Sequence, residues 1–386
     1  MANPSQIGTA AISAISLHLL FVIGQSTSFI SFNGEGGAYL ITVLDLFCGA
    51  GGFSYGFQKE GFHVVLGVDN EQHKLNTYMA NMIRSRNLKF DIAQLTANKI
   101  LSTINMDNID VIIGSPPCKD FSKSNQGLIE FLAPGRAGLP YHFFRLVTVL
   151  RPKVFVMENV EGYFKTTNGE FMKHLFTPFG YNVSLYTLNA ADFGVPQNRI
   201  RSFLIGSLKP FQLQIPKASQ SKLNINDAIS DLEDVATTGE ASLLEPKTSY
   251  QKQMRNTHNT VTNHYGTRHC EAVINRLSRI KCGQNIKDLP DSERTRSKFS
   301  GAYYRPYYDA TARTITTRFD TPTGDGESVH PTLNRCFTPR EAARLQSFDD
   351  SYNFSGAREE IKLQIGDAVP PLLAQAIAKQ IMLLIQ

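Results

Sequence analysis

Asp110-Val111-Ile112-Ile113-Gly114-Ser115-Pro116-Pro117-Cys118 is a short apolar run that breaks at a glycine and ends in two prolines and a thiol. A run of this length bounded by turn residues predicts a buried strand of an α/β sheet, and ligands bind at the carboxyl ends of such strands. Paired prolines stiffen the backbone, so the side chain after them is held in place. Cys118 therefore reads as a presented nucleophile. A lone cysteine more often packs as a small buried hydrophobe. Here the residues after it, Lys119-Asp120-Phe121-Ser122 through Gly127, are polar and turn-forming, which places the thiol at a loop entrance with Lys119 beside it to favour the thiolate.

Outward from this strand, the chain from Tyr39 alternates short apolar runs with amphipathic stretches, the pattern of a doubly wound, Rossmann-like parallel α/β sheet. Strands are predicted at Leu40–Leu46, His63–Val68, Val111–Ile113, Val154–Met157, Tyr181–Leu188 and Ser202–Ile205. Helices are predicted at Ser54–Glu60, Glu71–Met82, Phe143–Leu150 and Glu170–Pro178. Lys209–Leu244 is polar and irregular and marks a boundary. The end of the chain returns to a strongly apolar helix around Leu372–Ala378, which needs a core to cover and is expected to fold back onto the first domain.

At 386 residues and 42% hydrophobic content the chain can bury a full core, which excludes disorder of the whole. Its five cysteines are widely spaced with no C-x-x-C pair, so neither a disulfide framework nor a zinc site is indicated, and a reducing cytoplasm fits. The net charge of +5 is unevenly placed: Gln251–Arg313 carries twelve Lys/Arg against five Asp/Glu, leaving the remainder at −2. Interleaved with Tyr265, Tyr303, Tyr304, Tyr307 and Tyr308, this block suits a surface that contacts a phosphate backbone, although a solvated charged face has the same composition. Residues 1–34 hold no charged side chain, lack a basic signal-peptide start and fall short of a bilayer span. They read as a non-catalytic extension with no membrane partner.

Between the first strand and first helix stands Asp45-Leu46-Phe47-Cys48-Gly49-Ala50-Gly51-Gly52-Phe53. A glycine-rich turn here lets the backbone approach a ligand closely, with helix amides pointing at it. The spacing of Gly49, Gly51 and Gly52 is not G-x-G-x-x-G, which disfavours a nicotinamide dinucleotide. The second strand ends in Asp69, where a carboxylate accepts from ribose hydroxyls, and the next segment in Asp91, where one could meet an adenine amino group. Taken singly, Asp69 or Asp91 suits a helix cap and the glycines a tight turn. In order, they suit a nucleoside cofactor.

Asp45–Phe53, Ser115–Cys118, Glu158-Asn159-Val160, Gln197-Asn198-Arg199-Ile200-Arg201, Arg313-Thr314-Ile315-Thr316-Thr317 and Gln364–Pro370 resemble, in order and rough spacing, the motifs of DNA (cytosine-5) methyltransferases. The resemblance runs from about Val43 to the C-terminus. It implies an S-adenosyl-L-methionine-dependent methyltransferase fold with a smaller, irregular target-recognition domain and a cleft for double-stranded DNA. The implied organisation is a catalytic cofactor-binding domain at 41–207, target recognition at 208–345, and 346–386 returning to the catalytic domain after the extension at 1–40. By resemblance, Phe47 packs on the adenine, Asp69 holds the ribose, Asp91 and Ile92 meet the adenine edge, and Pro116 lines the methionine side.

The chemistry explains the residue types. Cytosine C5 is a weak nucleophile until a thiolate, here Cys118, adds at C6. That addition is eased by protonation of N3, the role the resemblance gives Glu158 at the end of Val154-Phe155-Val156-Met157. Arg199 and Arg201 resemble an arginine pair of which at least one steadies the reacting ring or its phosphate; a structural ion pair is the alternative for either. Asn159 is expected to orient the loop. Two departures from the family stand out: Gly366-Asp367 replaces Gly-Asn, and Phe90 precedes Asp91 where glycine is common. Cys336–Phe348 also matches, with Thr338-Pro339-Arg340-Glu341 reading as a helix N-cap followed by proline. For Arg340 and Arg344, ion pairing comes ahead of phosphate contact. Size suggests the modification partner of a restriction endonuclease, expected to act as a cytoplasmic monomer. The rivals are a tRNA cytosine-5 methyltransferase, which would share Cys118 and Glu158, and a nucleic-acid-binding homologue that has lost catalysis.

Overall fold

The computed structural model describes residues 40–117, 138–214, 222–232, 240–242, 244–255, 260–295 and 301–385. The extension at 1–39 and Cys118 itself therefore lie outside the described residues. The chain separates at Leu40/Ile41 into two units, and the second, Ile41–Gln386, carries everything that follows.

The apolar runs form a seven-stranded sheet of order β3-β2-β1-β4-β5-β7-β6. Its strands are β1 (Thr42–Leu46), β2 (His63–Asp69), β3 (Arg86–Lys89), β4 (Val111–Gly114), β5 (Val154–Val160), β6 (Asn182–Asn189) and β7 (Ile200–Ser207). Helices α1 (Gly52–Lys59), α2 (Gln72–Asn81), α3 (Ala97–Ile104), α4 (Leu139–Leu150) and α5 (Thr167–Leu175) connect them. The central strand β4 is flanked by β1 and β5 in parallel register, with Gly114 beside Leu46 on one side and Met157 on the other. All four β4 residues are buried, which is why its sequence is a continuous apolar run.

Two faces are covered. Val43, Val111, Ile113, Val154, Val156, Phe203 and Ile205 share a core with Phe53 and Phe57 of α1 and with Leu373, Ala374 and Ile377. The alternate residues face the other way, where the Phe155 ring centroid lies 6.2 Å from that of Phe143 on α4 and 4.1 Å from that of Phe176.

The structure departs from the sequence-based expectation in specific places. β7 runs antiparallel to both neighbours, so the sheet is mixed rather than wholly parallel. β3 was not anticipated, because Arg86-Asn87-Leu88-Lys89 is a polar edge strand without apolar alternation. α3, capped by Thr96, buries only Ile100 and Ile104 and was likewise passed over. Within the stretch expected to be irregular lies α6 (Ile225–Ile229), opened by an Asn224/Asp227 capping box. The strand β8 (Glu240–Ser242) pairs with β9 (Thr260–Thr262), and α7 (Ser249–Arg255) lies between them.

Beyond the sheet, α8 (Glu271–Arg279) begins a small apolar cluster of Leu277, Ile280, Ile286, Leu289, Ala302, Tyr303 and Val329. A separate core joins α6, α7 and β9 to α9 (Pro339–Leu345) and α10 (Arg358–Asp367). Thr338 caps α9 as anticipated, and with Glu341 it forms a capping box. Arg344 is fully buried between Asp231 (3.1 Å) and Asp350 (2.6 Å), and Arg340 is equally buried, donating to the Asp349 and Tyr352 carbonyls. Neither is placed to reach a phosphate.

The last helix, α11 (Pro371–Ile385), packs on α1 as the apolar pattern required. Arg358–Ile385 is long and apolar enough by composition to cross a membrane, yet its C-terminal part buries Leu373, Ala374, Ile377, Ala378 and Ile381 in the sheet's core. Gly56 lies at the crossing: a Cβ there would sit 2.4 Å from Ala374 Cβ and 2.6 Å from the Pro371 carbonyl. Gly56→Ala is therefore expected to destabilise the fold by about 1–3 kcal/mol through overpacking, outweighing the roughly 1 kcal/mol that alanine gains as a helix former. Urea unfolding checks this, and a stabilised variant would contradict the close crossing.

Candidate active site

The candidate residues gather because successive strands end at one edge. Leu46 pairs with Val68 and Gly114, Asp69 with Lys89, and Gly114 with Met157, so the turns after β1 to β5 open side by side. Being antiparallel, β7 begins at that same edge. Arg201 lies opposite Val160, and Glu158 opposite Phe203. Two positions apart on one face, Glu158 and Arg201 become diagonal neighbours and form an ion pair of 3.1 Å.

Glu158 is 7% exposed. Burial raises its pKa above the ordinary carboxylate value, while Arg201, Arg199 and the Ser115 hydroxyl act in the opposite sense. Asn159 ties β5 to the proline turn: its Nδ2 donates to the Pro116 carbonyl (3.0 Å). The segment entering Cys118 is thereby fixed to the segment carrying Glu158.

The two arginines differ. Arg201 faces Glu158, whereas Arg199 is 1% exposed and donates to the carbonyls of Ile315 (2.9 Å), Gly366 (2.8 Å) and Ala368 (3.0 Å). Arg199 thus joins the entry of β7 to the segment at Ile315 and to the C-terminal end of α10. Gln197 works beside it, accepting from Ile315 N (2.7 Å) and donating to Leu345 O (3.0 Å). The sequence had offered no individual role for Gln197, since a buried amide joining loops leaves no periodic signal.

At the other end of the edge, the turn after β1 holds Phe47, Gly49 and Gly51 at φ of 64°, 54° and 97°. Its glycines divide by what they face. Among the described residues a Cβ on Gly49 would meet nothing within 4 Å, whereas on Gly51 it would lie 2.8 Å from Tyr352 Oη and on Gly52 2.6 Å from the Val369 carbonyl. Gly49 thus borders open space, and the other two permit close packing of protein on protein. Asp69 accepts from the amides of Gly49 (2.9 Å) and Glu71 (3.0 Å), one per carboxylate oxygen, leaving lone pairs for further donors. Asp91 is exposed and accepts from Ala93 N (2.9 Å), as a turn cap does, and Ile92 is buried beside it. The Arg145 guanidinium on α4 holds this loop through the Ile92 (3.2 Å) and Leu95 (2.7 Å) carbonyls.

The family model for C-5 cytosine-specific DNA methylases matches residues 41–383. The chain belongs to that family. Among curated relatives of this methylase, the type II methyltransferase M1.HphI of Haemophilus parahaemolyticus is 37% identical over 347 residues, covering 89% of this chain and 87% of the relative. M.DdeI of Desulfomicrobium norvegicum is 36% identical over 377 residues, covering 88% of each. A solved E. coli prophage protein, described as a DNA modification methyltransferase, superposes with a TM-score of 0.74 at 26% identity, covering 89% of this chain and 99% of that one. The methylase is a DNA (cytosine-5) methyltransferase of the bacterial restriction-modification type.

The basic block is narrower as a surface than in sequence. Arg255, Arg279, Arg294 and Arg313 are ion-paired internally, and Arg305 is buried, donating to the carbonyls of Leu277, Ile280, His330, Pro331 and Leu333. Lys252, Arg268, Lys281 and Lys287 are exposed and suit phosphate contact.

Proposed function

We propose that this methylase modifies C5 of a cytosine flipped out of a specific duplex DNA sequence, through a covalent bond between Cys118 Sγ and cytosine C6. The observation that carries the reading is the buried Glu158–Arg201 pair at the strand edge, joined through Asn159 to the turn that leads into Cys118. S-adenosyl-L-methionine, when bound, supplies an electrophilic methyl group. The residues present fit it: among the described residues Gly49 borders open space, Asp69 has spare acceptor capacity, and Phe47, Asp91, Ile92 and Pro116 lie at the same edge, while Gly51 and Gly52 serve by letting the turn pack on Tyr352 and Val369.

The chain's own residues make C5 reactive. The Cys118 thiolate adds to C6, and the C5–C6 π pair is pushed toward C5 as Glu158 delivers its proton to N3. Arg201 orients the Glu158 carboxyl, and Arg199 braces the start of β7 on which Arg201 stands. Once C5 is methylated, its proton passes to solvent, the C5–H pair restores the C5–C6 double bond as the C6–Sγ pair leaves with the thiolate, and N3 returns its proton to Glu158. Flipping costs a few kcal/mol, recovered from pocket and phosphate contacts.

Residues 41–207 serve as catalytic domain, 208–345 as the recognition segment and 346–386 as the return to the sheet. We place the enzyme as a cytoplasmic monomer that protects DNA from a cognate endonuclease. Labelled methyl transfer from S-adenosylmethionine to unmethylated genomic DNA and, in parallel, to bulk tRNA tests this. 5-Methylcytosine in a fixed DNA context is expected; label in tRNA alone would move the substrate to RNA.

A further inference from the structure

We propose that Tyr352, three hundred positions along the chain from the turn after β1, is a positioning residue that holds that turn in its cofactor-ready shape. This rests on the reading of that turn as the S-adenosylmethionine cradle. Tyr352 Oη donates to the Ala50 carbonyl. The amide of the same peptide, Gly51 N, donates to Cys48 O (2.9 Å), so the Ala50–Gly51 peptide is pinned at both ends. Three left-handed residues in five leave this turn few conformations that it can hold without outside contacts. Ala50 is buried, so its carbonyl has no recourse to solvent if the hydroxyl is lost.

The tyrosine is itself fixed from several sides. Its ring packs against those of Phe348 (4.7 Å), Tyr55 (4.9 Å) and Phe354 (5.3 Å). Its carbonyl accepts from Arg340 Nη2 (2.9 Å), and Arg340 Nη1 and Nε reach Asp349 O and Thr262 O, both at 3.0 Å. Asp349, in turn, accepts from Tyr55 (2.6 Å) and pairs with Lys59 (2.8 Å) on α1. The segment after α9 thus clamps both the turn and the helix that follows it. Ligand-ready geometry is set by a residue three hundred positions away in the chain.

Tyr352→Phe keeps the ring and removes one donor. The expected result is an S-adenosylmethionine dissociation constant raised about five- to tenfold by calorimetry, the effect of leaving one buried carbonyl unpaired. KM for the cofactor should rise in parallel, with kcat at saturation and DNA affinity within about twofold of wild type. Tyr250→Phe is the control for loss of a buried tyrosine hydroxyl away from the turn, since Tyr250 Oη donates to Arg344 O (2.5 Å) in α9, a carbonyl that also accepts from Ser347 N (3.0 Å). It should lower the melting temperature and leave cofactor affinity unchanged. Unchanged affinity in Tyr352→Phe, or an equal loss in both variants, would overturn the inference. Absence of saturable binding by the wild type would overturn the cofactor reading itself, and this inference with it.

Discussion

Replacing Cys118 by alanine is expected to abolish methyl transfer, a loss on the order of 10⁴-fold or more, because no other group in the proposed chemistry can make C5 nucleophilic. The thiol's approach is set before the chain reaches it. Gly114 is locked between Leu46 and Met157, and a Cβ there would lie 2.5 Å from the Leu46 carbonyl. Asn159 then holds the Pro116 carbonyl, and Pro117 restricts the next dihedral. Alanine disturbs none of this, so DNA and cofactor affinities should stay near wild type. DNA carrying 5-fluorocytosine gives a second readout, since fluorine at C5 cannot leave as a proton and the adduct accumulates. Wild type should form a complex that survives a denaturing gel, and Cys118→Ala should not. Turnover or trapping by the variant would sink the mechanism.

The parts of this site that were legible in sequence are those fixed by where strands end. An apolar run closing on Gly-Ser-Pro-Pro-Cys, Gly-Val-Asp or Met-Glu-Asn can be read without coordinates, because buried strands demand continuous apolar residues and their polar termini must leave the sheet. The direction of β7 was not legible, since an apolar run looks alike in either orientation, and yet that direction is what carries Arg201 to Glu158. Arg199 and Arg201 could not be told apart for the same reason. They stand two positions apart at the entry to β7, and only tertiary packing makes one a partner of Glu158 and the other a brace for the carbonyls of Ile315, Gly366 and Ala368. Composition also overstated the DNA-facing charge. Arg305 counts as +1 in the basic block, but its guanidinium is spent on backbone carbonyls inside the small core. Tyr352 shows the limit most clearly: nothing local marks a tyrosine whose hydroxyl serves a turn at the far end of the chain.

Glu158→Gln should slow methyl transfer by roughly 10²- to 10⁴-fold, the range of a positioned general acid, without weakening the fold. The second half of that expectation follows from linkage. Burial is the largest influence on Glu158 and lifts its pKa above the usual 4.5, more than Arg201, Arg199 and Ser115 lower it. The folded protein therefore binds this proton more tightly than the unfolded chain does. Its stabilising contribution is complete below the unfolded value and is lost as pH rises through the folded one. The ionised form of Glu158 is thus the one that costs the fold, and an isosteric neutral amide should leave the melting temperature level or raise it. Activity responds in the same pH direction: only the protonated acid can serve N3, so the rate should fall as pH rises through the raised value. The need for a Cys118 thiolate imposes a limb of the opposite sense. In Glu158→Gln the high-pH limb should vanish and the thiol limb remain. Turnover within about tenfold of wild type, with the high-pH limb intact, would remove Glu158 from the acid's role and leave its pairing with Arg201 a structural one.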